Sequence, residues 1–284
     1  MKSLRRLFQS KAAVIGGMVL FIALFIAVFG PYLSPHDPFK QNLKNRLKAP
    51  SWLSGGAPGH LLGTDQLGRD VLSRIIWGTR NSLLIALSAV SISGCLGVLL
   101  GLLCGYYGGR LDTVIMRLAD IQLAFPFILL VIAIVAVVGT SLLNVILVFG
   151  LAGWVIYART ERSIVLSLKE KEFVEAAKAL GFRDRLILLG HILPNTLPSI
   201  IVIATVRVGQ IIIWESGLSF LGLGIPPPTI SWGSMLADGR PYLSTGWWVC
   251  TYPGLAIMAV VLALNLLGDA MVDAFDPRFS RESS

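Results

Sequence analysis

An all-α polytopic membrane protein with six transmembrane helices is the fold class that three observations predict. Of 284 residues, 55% are hydrophobic and 14% charged, against about 25% charged in an average soluble domain. Six apolar runs of 17 to 21 residues recur along the chain, near the length that crosses a hydrocarbon core roughly 30 Å thick. The basic residues gather between or beside those runs, so the net charge of +8 reads as membrane topology. No basic stripe stands beside an aromatic platform, which argues against a nucleic-acid partner.

The first run, Ala12 to Phe29, follows Lys2, Arg5, Arg6 and Lys11. It is long for the apolar region of a signal peptide and no small-x-small cleavage pattern follows, so it is read as a retained span. The others are Leu83 to Leu103, Ile121 to Val138, Leu142 to Ala158, Leu197 to Trp214 and Trp247 to Leu267. Placing the N-terminus inside puts fifteen of the 24 Lys and Arg on cytoplasmic segments and eight outside, seven of these in one long loop between Pro31 and Arg80. That bias predicts both termini in the cytoplasm. Residues 1–80 then hold the N-terminal tail, first span and outer loop; 81–270 hold the other five spans; 271–284 form a cytoplasmic tail.

Within the spans, Pro126 is expected to be tolerated near the start of the third. The short turn at Gly139 to Ser141 makes the third and fourth spans antiparallel neighbours. Gly94, Gly97 and Gly101 allow close helix approach where no hydrophobic effect drives association. Pro226-Pro227-Pro228 must end the fifth span, and Gly222 and Gly224 let Ser216 to Leu236 fold back near the outer surface. Arg117 and Asp120 are spaced for a helix-end ion pair. Trp154, Tyr157, Trp247 and Trp248 fall where an interfacial aromatic belt is expected. Cys95, Cys104 and Cys250 read as packing residues, and His36, His60 and His191 lack the spacing of a metal site.

No G-x-x-x-x-G-K-[ST] loop is present, nor a G-x-S-x-G elbow or an H-E-x-x-H pair, so neither nucleotide hydrolysis nor another catalytic activity is argued. The polar segment from Glu170 to Gly181 is the most informative. Phe173, Ala176, Ala177 and Leu180 fall on one face of a short helix and Glu172, Glu175 and Lys178 largely on the other. Gly181 is suited to end it. Two readings stay open: an amphipathic connector on the membrane surface, or a docking helix that passes the motion of a soluble ATPase into the bundle.

Arg207 lies about ten residues into the fifth run, where a bare charge costs on the order of 3 kcal/mol; it must face protein or water. Glu215 follows eight residues later, about 12 Å along the same helix. It is expected at the outer mouth, with the two residues lining or gating a cavity.

Glu175-Ala176-Ala177, Gly181 and Leu193-Pro194 resemble the EAA motif of bacterial ABC importer permeases, with His191 where that motif has isoleucine. Leu62 to Asp65, Gly68 to Arg74, Leu218 to Gly224, Ser231 to Leu236, Asn265 to Asp269 and Asp276-Pro277 look like the C-type permease of dipeptide, oligopeptide and nickel importers. The resemblance implies a type I importer permease fold, with Glu172, Phe173, Glu175, Ala176, Ala177, Leu180 and Gly181 docking the ATPase. It also implies a second homologous permease, two ATP-binding subunits or domains that hold ATP and Mg, and an extracytoplasmic solute-binding protein. This chain would bind no cofactor itself, and would sit among membrane lipid in the bacterial cytoplasmic membrane. Arg69 and Asp70 are then candidates for contact with the binding protein, the alternative being an interfacial helix that anchors the loop. Peptides lead as cargo, beside nickel chelates and glutathione. A self-sufficient secondary transporter or channel would instead call for acidic groups at the membrane midplane, and the acids here cluster in loops and at span ends.

Overall fold

The computed structural model describes residues 10–275, so Lys2, Arg5, Arg6, the Asp276-Pro277 motif and most of the 271–284 tail lie outside the described residues. Among the described residues the architecture is helical, with one isolated β-bridge between Thr64 and Asp70. Helix α1 (Lys11–Leu33) is capped by Ser10, whose hydroxyl accepts from the Ala13 amide. Its buried positions are small (Ala13, Gly16, Ala23, Gly30), while Phe21 and Val28 are exposed at the periphery. Small residues let α1 lie close on its neighbour: a Cβ on Gly16 would stand 2.7 Å from the Ala263 carbonyl, the close packing that substitutes for hydrophobic drive in lipid.

Helix α2 (Val71–Tyr107) has 37 residues, about 55 Å at 1.5 Å per residue. Sequence reasoning put residues up to Arg80 in the outer loop. The helix instead begins at Val71, because Asp70 caps it by accepting the Ser73 amide and Val71 packs with Ile230, Met235 and Trp248.

The expected third span is broken. Helix α3 (Gly109–Leu123) and helix α4 (Phe127–Val138) meet at 89°. Pro126 donates no amide hydrogen and its ring pushes Phe125 out of helical geometry, so the break falls at 124–126. Alone, α4 has 12 residues, about 18 Å, too short for the hydrocarbon core. Five helices are long and apolar enough to cross a membrane, six when the bent pair is taken as one span. Helix α5 (Leu142–Ala152), capped by Ser141, continues through Gly153 into α6 (Trp154–Leu168).

Helix α7 (Glu172–Ala179) is followed by α8 (Asp184–Ile187) and a π-turn over Leu188–Ile192 that leads into α9 (Leu193–Leu218). A further turn ends at Leu223, before Pro226-Pro227-Pro228, and the chain folds back as α10 (Trp232–Gly239). Helix α11 (Trp248–Phe275) closes the bundle.

Helices α2 and α6 form the tightest pair. Added Cβ atoms at Gly97, Gly101 and Gly105 would stand 2.4 Å from the Trp154 carbonyl, 2.6 Å from the Ala158 carbonyl and 2.7 Å from Val165 Cβ, whereas one at Gly94 would have ordinary contacts at 3.8 Å. The close-packed stripe is therefore Gly97, Gly101 and Gly105, one helical turn further along than expected. Two other expectations change. Asp120 pairs with Arg159 instead of Arg117, and Tyr157 and Trp248 are buried, the indole donating to the Thr64 carbonyl at 2.9 Å. Cys95, Cys104 and Cys250 are free thiols.

Candidate functional site

At one end of the bundle, α7 lies on a small apolar cluster of its own chain. Val174 and Ala177 are buried against Leu102, Val165, Ile187, Leu188 and Ile192. The helix ends in a Schellman motif: the Gly181 amide donates to the Lys178 carbonyl at 2.9 Å and the Phe182 amide to the Ala177 carbonyl at 3.1 Å. Gly181 sits at φ +78°, where a Cβ would be strained. The Tyr106 hydroxyl donates to Asp184 at 2.7 Å, and the Lys178 ammonium lies 5.4 Å from the Tyr106 ring centre. These contacts tie the α7–α8 unit to the last turn of α2.

Periodicity grouped Phe173, Ala176, Ala177 and Leu180 on one face. The structure divides them. Ala177 is turned inward beside Val174, while Phe173, Ala176 and Leu180 are exposed, with Leu180 at 77%. Glu172 and Glu175 are exposed alongside. Phe182, Leu186 and Leu189 are exposed nearby in the chain, so this end presents an apolar surface fringed by charge.

Arg207 lies on the wall of a cavity of about 360 Å³, with Gln122, Phe127, Arg159 and Trp214. Its guanidinium donates to Gln210 Oε1 at 3.0 Å and stands 5.5 Å from the Trp214 ring centre. An amide and an aromatic face therefore partner the guanidinium.

Glu215 lies in the last turn of α9, but it opens onto no mouth or cavity. It is 2% exposed and accepts from Ser219 and Ser231 hydroxyls, both at 2.9 Å. Ser231 also caps α10 through a capping box. Glu215 therefore fastens the end of α9 to the start of α10, and only Arg207 of the pair borders the cavity. Glu161 was missed altogether: it is fully buried in α6 with neither carboxylate oxygen hydrogen-bonded, its Cβ against Gly101. Nothing in its local sequence separates it from the surrounding polar residues.

At the opposite end, Arg69 and Arg74 form a network with Asp65 and Asp238, at 2.6 Å for Arg69 to Asp65 and 3.2 Å for Arg74 to Asp238. The Asp70 side chain is buried and engaged by Ser73 and His60, so its carboxylate caps a helix and offers no surface to a partner. Arg69 is largely buried by its two aspartates. His36 and His60, unremarkable by spacing, converge on Asp70 with all three candidate ligand atoms within 4.8 Å of one another.

Residues 97–281 match the family described as binding-protein-dependent transport system inner membrane component, and residues 2–50 match the N-terminal TM domain of oligopeptide transport permease C. The di/tripeptide transport system permease protein DppC of Pseudomonas aeruginosa is 43% identical over 95% of this chain and 89% of its own. The dipeptide transport system permease protein DppC of Haemophilus influenzae is 41% identical over 96% and 92%. The glutathione transport system permease protein GsiD of Pectobacterium atrosepticum is 41% identical over 96% and 89%. Among solved structures, an inward-facing MetNI methionine ABC transporter superposes with a TM-score of 0.56, covering 72% of this chain and 96% of that one at 20% identity; this is a likeness of fold. The chain belongs to the binding-protein-dependent transport system inner membrane components, as a C-type permease subunit of an ABC importer.

Proposed function

We propose that this permease carries di- or oligopeptides across the bacterial cytoplasmic membrane by alternating access, driven by ATPases that are separate subunits or domains. The exposed apolar face of α7 carries the reading. Phe173, Ala176 and Leu180 are exposed among the described residues, while Val174 and Ala177 anchor the same helix to the bundle. A partner seated on that face moves the α7–α8 unit, which moves α2 through Asp184 and Tyr106. Two ATP-binding subunits or domains hold ATP and Mg²⁺, and this chain supplies no catalytic group.

A second homologous permease completes the pathway. An apolar groove of about 570 Å³ between α3, α4 and α5, lined by residues such as Leu118, Ile121, Ile134 and Leu147, supports that partner. The charge bias supports both termini and α7 inside, with residues 34–70 and α10 outside, facing the solute-binding protein. Peptide cargo is supported by the names of the relatives at 41 to 43% identity.

Two measurements test this. A tagged chain co-expressed with its neighbours should retain a second permease and ATPase subunits and drive ATP-dependent dipeptide uptake into proteoliposomes; unaided uptake by the isolated chain would overturn the proposal. Arg207, the one charge on the 360 Å³ cavity wall that comes from α9, serves the pathway. Arg207→Leu should lower uptake about tenfold, or ~1.4 kcal/mol, at unchanged expression. Normal uptake would remove Arg207 from the path.

A further inference from the structure

His36, His60 and Asp70 lie together at the end of the bundle opposite α7. Asp70 presents one oxygen, Oδ2, to its own helix, where the Ser73 amide and hydroxyl donate to it at 2.8 and 2.7 Å. The other oxygen, Oδ1, points at two imidazoles: His60 Nδ1 at 2.8 Å and His36 Nδ1 at 3.8 Å. The two rings stand 4.6 Å apart at 32°. The His36 backbone is fixed as well, its amide donating to Ser73 Oγ at 3.0 Å. One imidazole is thus hydrogen-bonded to Oδ1, and the second is held just beyond hydrogen-bond reach of the same atom.

We propose that His36, His60 and Asp70 bind one divalent first-row transition ion, with Zn²⁺ as the representative. Two imidazoles and a carboxylate suit such an ion, and three protein ligands leave a coordination position open. Bonds of about 2.0 Å at tetrahedral angles separate ligand atoms by about 3.3 Å, between the two imidazole–carboxylate distances, with all three ligand atoms within 4.8 Å of one another. His60 opens slightly and the half-exposed His36 closes slightly. As Nδ1 of His60 takes the ion, its proton moves to Nε2, and the imidazole stays neutral. Ser73 holds Asp70 in the way that outer-shell partners orient metal ligands.

The local charge is compatible. The start of α2 carries about half a positive charge, against the full negative charge of Asp70. Arg69 and Arg74 are occupied by Asp65 and Asp238. The ion would join the segment just after α1, the turn at His60 and the first turn of α2. The site stands independently of the transport reading, because it rests on three side chains and not on cargo or partners.

The test is Zn²⁺ titration of the full chain, chelator-stripped and held in nanodiscs with its co-purifying subunits, with Co²⁺ as the spectroscopic probe. The parent should bind Co²⁺ with visible absorption bands that Zn²⁺ displaces. His36→Gln and His60→Gln should each weaken binding at least about tenfold, and Ser73→Ala by about tenfold. Because His36 is exposed, His36→Gln leaves the fold intact, and its thermal midpoint without metal should equal the parent's. Absence of a Co²⁺ signal in the parent, or an undiminished signal in both histidine variants, would overturn the site and leave the polar contact as a loop fastening alone.

Discussion

Leu180→Asp should sever the permease from its ATPases without unfolding it. Leu180 is 77% exposed at the end of α7, so a carboxylate there stays hydrated in the free chain. In the docked complex the same group is buried on an apolar contact without a counter-charge, a cost of about 3 kcal/mol or more, which weakens association roughly a hundredfold. Ala176→Arg on the same face should behave alike through steric exclusion. Ala177→Asp forms the informative contrast. Its side chain faces Leu102, Val165 and Ile192, so that variant should lose monodispersity along with ATPase capture. Co-purification, ATP hydrolysis and size exclusion of the three variants separate the cases. Full capture and uptake by Leu180→Asp would show that the exposed face of α7 is not the docking surface.

The second large effect concerns the contact between α2 and α6. Gly101→Val should destabilise the bundle by about 3 kcal/mol, the upper range for overpacking. A first carbon already meets the Ala158 carbonyl and Glu161 Cβ at 2.6 Å, and both belong to helix positions that cannot rotate away. Gly94→Ala, about two turns earlier in the same helix and with 3.8 Å of clearance, should be neutral or gain up to about 1 kcal/mol from helix propensity. Thermal monodispersity in detergent measures both. Equal midpoints for Gly101→Val and Gly94→Ala would mean that the two helices do not approach as described.

Much of this organisation is legible in the order of residues. Long apolar runs need no partner to declare themselves; Gly181 announces the end of α7 because its backbone conformation is one that few other residues tolerate. What escaped depends on packing across the chain. Phe173, Ala176, Ala177 and Leu180 share an apolar arc by periodicity, yet only the cluster formed by α2, α6 and α8 decides which part of the arc turns inward. Glu215 looks like a charge at a span end until Ser231, sixteen residues later, folds back onto it. Pro126 is a known helix breaker, but whether a membrane helix kinks or turns through 89° rests on the neighbours that donate to the freed carbonyls. His36, His60 and Asp70 are separated by 24 and 10 residues, and only the loop path brings them together.

The length of α2 has a mechanical meaning. Its first turns are gripped by α10, with Asn81 donating to the Ile230 carbonyl at 2.7 Å and the Trp232 amide to Ser82 at 3.0 Å, while its last turn is gripped by Asp184. A stiff strut about 55 Å long that pivots by about 5° at one rim sweeps the other by about 5 Å, more than the width of a water molecule. On the proposed reading, a small rocking at the Asp184 end becomes an aperture change at the α10 end, with no relay of intermediate side chains required.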